Sequence, residues 1–522
     1  MSKKQAVAAP LARPKAAGVS KWLLLFTVSI TGGVVMILEL LGTRIIAPYY
    51  GASLYVWSAL ISVTMFALAL GYYAGGWLSD RFPRLRLPHI LLAAALSAVL
   101  IPFFSGPVME FCNPAGLRLG AFASAFILFT PALTALAMVG PFTIKLATED
   151  LQGVGTVAGS VYAISTLGSV LATLLLSFYL LPAFGARAII FSASLILLAL
   201  AGFLMFRDNQ GFVKPASILP MLLTGALIGA LAINGFALAR PQAAEFKVIH
   251  AEESNYGWVR VVDNQKYGAR LLLSDASVLS AQALNNGRTL LNYQNVIAQL
   301  PLFRPDAKQA LLIGLGGGHI ALGFNAAGLT TDTIEIDPAI AQAALDYFNF
   351  KPNGEFLVGD ARYEIKKLHK QYDFIIHDCF TGGTEPTHLL TVEMLTQLRG
   401  MLSEQGVLAL NYVGFTQGEG TQAVASVYRT LRHVMPEVRV FITDKAEFTD
   451  FIFLASRQPI NLDPRQPDPR VNWLLDHEYH LDETQGILIT DNYNPLESMQ
   501  VRKSEHYRQV FMQRISPELL IL

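Results

Sequence analysis

The sequence predicts a polytopic α-helical membrane domain followed by a Rossmann-like α/β domain that opens with a β-hairpin lid. Three observations predict it. Of 522 residues, 52% are hydrophobic and only 15% charged, against about 25% charged in an ordinary soluble protein. Apolar runs long enough to cross a bilayer recur up to residue 239 and then stop. Beyond residue 245, strand-like and helix-like patterns alternate, which argues a parallel sheet wrapped by helices. The formal net charge of zero divides at the same place. Residues 1–239 hold 14 Lys and Arg against 6 Asp and Glu, and the remainder holds 25 against 33. An acidic C-terminal half disfavours nucleic acid as a partner. Two cysteines, Cys112 and Cys379, are too few for a disulfide framework or a zinc cluster, and no metal is expected.

Residues 1–21 read as a polar tail carrying Lys3, Lys4, Arg13 and Lys15. Spans are expected near 22–47, 55–78, 89–109, 119–144, 156–182, 187–206 and 217–239. The fourth contains Pro131 and Pro141 and is expected to be broken or re-entrant. Basic residues in the tail, at Arg81, Arg84 and Arg86, at Lys145, and at Arg207 and Lys214 put the N-terminus in the cytoplasm. Seven crossings would then leave the C-terminal domain outside. A non-crossing fourth segment resolves this, so the expectation is a multi-pass protein of the cell (inner) membrane with a cytoplasmic C-terminal domain. Glu39 and Arg44 are ionisable positions in the first span, and so are candidates for a membrane site. The alternative for Glu39 is a structural pair with polar groups on a neighbouring helix. Gly71, Gly75 and Ser79 recur four apart, which suits close helix packing.

The C-terminal half, 245–522, opens with alternating segments at 258–262 and 269–273 around a turn-like 264–268, the expected hairpin. A buried-strand run then ends in Gly314, Gly316, Gly317, Gly318 and His319. A helix pattern follows, and a second strand ends at Glu335 and Asp337. A strand, glycine loop, helix, strand and acid in that order form a nucleotide-binding fingerprint. Two further strands end at Asp360 with Ala361, and at Asp378. Ligands of open parallel sheets sit at the carboxyl ends of the strands, so Glu335, Asp360 and Asp378 are expected to border one cleft. The competing explanation is that such acids merely cap the helices that follow. Glu385 and His388 lie close after Asp378 and are candidates, with it, for proton removal. His377 lies within the strand and is expected to point away. Cys379 sits beside an acid, which disfavours it as a nucleophile.

The order of glycine loop, Glu335-Ile-Asp337, Gly359-Asp360-Ala361 and Asp378-Cys-Phe resembles the class I S-adenosylmethionine-type fold. More narrowly it resembles the spermidine synthase, or polyamine aminopropyltransferase, family. The segment 290–302 with Tyr293 and the late Thr490-Asp491-Asn-Tyr-Asn-Pro495 support the narrower match. The stretch 39–48 resembles the multi-pass, membrane-fused form of that family. The resemblance implies a membrane-bound transferase moving an alkyl group, by family default aminopropyl, from a sulfonium donor to an amine or other nucleophile. Its donor would be S-adenosylmethionine or the decarboxylated form. The acceptor would be a small molecule of the polyamine kind, the other partner the lipid bilayer, and a homodimer is compatible. Glu335 would bind the ribose, Asp360 and Ala361 the adenine, and Asp378 would face the transferred group. Tyr293 matches the tyrosine of a family Tyr-His-Glu stretch whose other two members are here Gln294 and Asn295. The family aspartate that holds the donor ammonium is here His319, which suits a donor retaining its carboxylate. Asp275 and Asp491 are the acids expected to take over if the donor lacks one. Methyl or aminocarboxypropyl transfer, or a transporter with a nucleotide-sensing domain, are the alternatives.

Overall fold

The computed structural model describes residues 20–51, 54–82, 84–148, 153–208, 222–231, 245–380, 383–462, 475–515 and 517–520. The N-terminal half is helical: α1 (Lys21–Tyr50), α2 (Leu54–Arg81), α3 (Leu87–Cys112), α4 (Gly116–Ala147), α5 (Val154–Leu175) and α6 (Leu181–Asp208). They coincide in position with the first six expected segments. Among the described residues, five continuous helical stretches are long and apolar enough to cross a membrane. The longest, Leu87–Ala147, folds back at Asn113–Ala115, so that α3 packs along α4. Of the expected 217–239 segment only 222–231 is described, and it is helical. The tail through residue 19 and the expected exit near 239–240 lie outside the described residues.

The expected break at Pro131 and Pro141 is absent, for α4 runs through both. The helix is clamped between α2 and α3, and packed neighbours let an apolar helix tolerate the lost N–H donors. The backbone breaks instead at Gly185 (φ 73°, ψ 164°), just after a π-turn over Leu176–Leu180. The small residues of α2 serve packing: a Cβ at Gly71 would meet the Thr134 carbonyl of α4 at 2.5 Å.

The C-terminal half holds two sheets. The expected hairpin is the middle of a four-stranded antiparallel sheet, β1 (Phe246–Glu253), β2 (Trp258–Asn264), β3 (Ala269–Ser274) and β4 (Ser277–Ala283). The outer strands carry Lys, His, Glu, Ser and Gln, which hide the alternation from the sequence. The second sheet has seven strands in the order β10-β11-β9-β8-β5-β6-β7. β5 (Gln309–Ile313), β6 (Thr330–Glu335), β7 (Phe356–Val358), β8 (Tyr372–His377) and β9 (Leu402–Phe415) run parallel. β10 (Glu437–Ile442) and β11 (Phe448–Ser456) add an antiparallel edge. This is the doubly wound class I S-adenosylmethionine-type arrangement. Its chain order reverses between β5 and β8, and a ligand cleft opens at such a switch point.

Helices cover both faces: α7 (His319–Ala326), α8 (Pro338–Tyr347), α9 (Val392–Met401), α10 (Thr421–Val434) and α11 (Val501–Arg514). One apolar cluster runs from α1–α6 into the small sheet through Val262, Leu273 and Ala276, and into α11 through Phe511. Polar ties join the halves too. Arg44 donates to the Asn255 carbonyl. Glu253 accepts from the Ala186 amide at 2.9 Å, and Arg508 donates to Asn113 Oδ1 at 2.6 Å.

Candidate active site

A cavity of about 780 Å³ lies at the carboxyl ends of β5, β6 and β8. The glycine loop forms one side. Gly314 and Gly316 have φ of 89° and 54°, which L side chains rarely adopt. A Cβ at Gly314 would sit 2.1 Å from the Asp378 carbonyl, so the loop closes against the end of β8 only with glycine there. Gly314 and Gly316 line the cavity. Gly317 and Gly318 lie behind it: the Gly317 amide donates to Ser280 Oγ at 2.8 Å, and Gly318 faces the Phe350 ring.

Glu335, at the end of β6, is buried and lines the cavity. Its carboxylate accepts from the Leu315 amide at 2.9 Å and the Asp337 amide at 3.1 Å, while burial raises its pKa. Asp360 and Ala361 follow β7 and line the same end. His388 joins them, its Nε2 3.7 Å from Asp360 Oδ2.

A second acidic group lines the same cavity. Asp378 is pushed up to about 7 by burial, and its Oδ1 accepts from Asn411 Nδ2 at 3.0 Å. The Tyr293 hydroxyl lies against the same carboxylate. Asp450 on β11 reaches the same space, also lifted by burial, to about 6. Its Oδ2 accepts from Thr443 Oγ1 at 3.3 Å. Asn411 hydrogen-bonds both acids, so two carboxylates and one amide share a half-enclosed pocket. Such a pair titrates as a unit, and a cation entering it draws both into the ionised state.

Several expected site residues sit elsewhere, for physical reasons. His319 starts α7 and turns away from the cavity onto Gln282 (3.2 Å) and the edge of Phe348; burial lowers it to about 4, so it is neutral. Asp337 lines the cavity but is engaged as the N-cap of α8, accepting from the Ala339 amide and from Ser254 Oγ at 2.6 Å. Asp360 likewise caps the short helix Ala361–Glu364. The capping explanation thus holds for Asp337 and Asp360 and fails for Glu335 and Asp378. Asp275 occupies a tight turn (φ 47°), where its carboxylate accepts from the Trp258 amide at 3.0 Å. It lines a smaller cavity, with Arg44, where the α1–α2 end meets the small sheet. Asp491 is tied to Arg362 outside the main cavity. Glu39 lies on α1, half-buried and in neither cavity. His377 is fully buried on β8 and does not line the cavity; Cys379 does line it, but donates to the Ile313 carbonyl with its thiol pKa raised by burial.

Glu385 does not line the cavity either. It is buried and paired with Lys503 of α11, while its other oxygen accepts from the Val413 amide at 2.8 Å. The pair holds the first turn of α11 against the end of β9. Glu385→Gln is expected to cost about 3–5 kcal/mol, because it leaves a buried ammonium unpaired. Chemical denaturation of the purified protein reads this, and Glu385→Gln with Lys503→Met should recover most of the loss. Lost turnover at unchanged stability would instead mark Glu385 as catalytic.

The sequence reading did not find Asp450 or Asn411. No spacing flags them: β11 is an antiparallel edge strand, and only its register with β9, Asp450 opposite Val413 and Ile452 opposite Asn411, brings them to the cleft. Among the described residues no group of His, Cys, Asp and Glu is arranged to hold a metal ion.

No family model matches the sequence. The chain is 31% identical over 264 residues to an N-terminal histidine N-methyltransferase of Emericella nidulans, covering 45% of this chain and 44% of that protein. The chain therefore spans less than half the length of that relative. It is 32% identical over 206 residues to a polyamine aminopropyltransferase of Vibrio vulnificus, covering 37% of this chain and 67% of that one. Among solved structures, a probable spermidine synthase from Corynebacterium glutamicum superposes with a TM-score of 0.38 at 17% identity, over 42% of this chain and 84% of that chain. A spermidine synthase from Thermotoga maritima gives 0.35 at 21% identity, over 46% and 82%.

Proposed function

The chain belongs to the polyamine aminopropyltransferase family, and from that we propose that it transfers an alkyl group, by preference aminopropyl, from an S-adenosylmethionine-type sulfonium to an amine. The observation that carries this reading is the acid pair Asp378 and Asp450, bridged by Asn411, in the cavity that Glu335 and Asp360 also line. An ammonium removed from water needs carboxylates to offset the cost, and the pair supplies them.

In this reading Glu335 holds the ribose hydroxyls, Asp360 and Ala361 the adenine, and Gly314 and Gly316 let the backbone approach the donor. Asp378, with Asp450 and Tyr293, orients the acceptor. The nitrogen lone pair forms a bond to the carbon on the sulfonium sulfur. The carbon–sulfur bond breaks, and its electron pair leaves sulfur as a neutral thioether. The nitrogen lone pair is freed beforehand, when the bound ammonium gives one proton to ionised Asp378, and the product nitrogen leaves as an ammonium. Alignment supplies much of the rate, and proton removal the rest. The decarboxylated donor is favoured over the intact one, because His319, turned away and neutral, offers a donor carboxylate no partner, and the carboxylates of the acid pair would repel it.

Methyl transfer from intact S-adenosylmethionine is the second reading, favoured by the 31% identity to the Emericella enzyme. We further propose that residues 22–239 form a bilayer-embedded domain, after the polar tail 1–21, and that 245–522 is the transferase domain on the cytoplasmic side of the cell membrane.

A pH profile tests the acid pair. Both carboxylates are raised by burial and bind a cation only when ionised, so turnover rises with pH through about 6 to 7. Between pH 7 and 6, kcat/KM is expected to fall about tenfold, and below pH 6, where both acids take up protons, by up to about a hundredfold per unit. A flat profile between pH 5 and 8 would remove the pair from the mechanism.

A further inference from the structure

The wall of the cavity nearest the acid pair is not built for a short diamine. It is one face of α11: Tyr507, Val510, Phe511 and Arg514 all line the cavity. Tyr507 stands at the acid end, within electrostatic reach of Asp450, its hydroxyl accepting from the Val278 amide at 3.2 Å. Seven residues on, about 10 Å along the helix, stands Arg514, exposed and with no ion-pair partner among the described residues. Between them the lining is apolar, with Leu271 and Val278 of the small sheet facing Val510 and Phe511. Leu271, Val278, Phe511 and Ile515 belong at once to this lining and to the apolar cluster that runs through α1–α6. Along α11 the lining therefore runs from the acid pair over an apolar stretch to a cationic side chain, and this apolar wall continues into the core of the N-terminal helices.

We propose that the acceptor is an amphiphilic amine: one ammonium held at Asp378 and Asp450, and an apolar chain of roughly six to eight carbons lying along α11 toward Arg514. This rests on the transferase reading above and names the substrate class for it. A second ammonium at the end of a chain lying along α11 would meet Arg514, a like charge, which disfavours an α,ω-diamine in that path. Arg514 favours a neutral or anionic terminus. Continuity of the wall with the membrane-type helices suits an acceptor drawn from a lipid phase. α11 is fixed in place by Lys503 on Glu385 at its start and by Arg508 on Asn113 on its other face, so the wall is preformed.

The test uses the full chain in bilayer discs, loaded with 5′-methylthioadenosine. Calorimetry measures binding of n-alkylamines from propyl to decyl, of 1,8-diaminooctane and of putrescine; turnover with the decarboxylated donor is followed in parallel. Affinity is expected to rise about three- to fourfold per methylene up to the octyl chain. Octylamine should bind more tightly than 1,8-diaminooctane, and Arg514→Glu, an exposed change, should reverse that order. Affinity flat in chain length, or putrescine binding most tightly to the unaltered protein, would overturn the proposal. Chain-length-dependent binding with no turnover of any amine would leave the acceptor class standing and refute the transferase reading.

Discussion

Asp378→Asn lowers product formation by about 10²- to 10⁴-fold, the usual loss when a positioned proton acceptor is removed, while nucleotide binding and fold are kept. The substitution is conservative where it must be. Asparagine keeps an oxygen toward Asn411 Nδ2, now 3.0 Å from the Asp378 carboxylate, and leaves the backbone bond from the Asp378 amide to the Ile313 carbonyl intact. What it removes is the charge and the proton site. No described helix starts at Asp378, so loss of a cap cannot explain a loss of rate. Product formed per mole of nucleotide-loaded protein is the readout. Near-full turnover would take Asp378 off the list and move proton removal to Asp450.

Glu335→Gln weakens binding of adenosyl ligands by about 10- to 150-fold, the equivalent of about 1.5–3 kcal/mol for a hydrogen bond to a charged group. The carboxylate accepts two backbone amides, from Leu315 and Asp337. An amide side chain turns one of those acceptors into a donor facing an N–H, so the loop and the ribose contact suffer together. Calorimetry with 5′-methylthioadenosine gives the affinity, and circular dichroism checks that the fold persists. Unchanged affinity would contradict the ribose assignment.

Both predictions concern residues legible in the sequence, because a parallel strand ending in an acid after a glycine loop is a local pattern. Chain order alone puts Glu335, Asp360 and Asp378 at one edge of the sheet. The failures are equally local in origin. His319 stands in the motif position of an acid, but the first residue of α7 points at β4, and Gln282 receives it. Asp275 and Asp491 have only their charge to suggest a donor contact, and a turn and an arginine engage them instead. Asp450 illustrates what sequence cannot carry: strand register between β9 and β11 decides which of its alternating side chains meets the cleft. The prolines of α4 misled in another way, since propensity rules written for isolated helices ignore the neighbours that pack α4 on both sides.

The central claim is group transfer from a sulfonium donor to an amine at the acid pair. Mass spectrometry of the reaction of the purified full chain with decarboxylated S-adenosylmethionine and an amine tests it most directly. The expected result is 5′-methylthioadenosine and aminopropylated amine in equal amounts, both absent with Asp378→Asn. Nucleotide bound and recovered unchanged with every amine and either donor would contradict the claim.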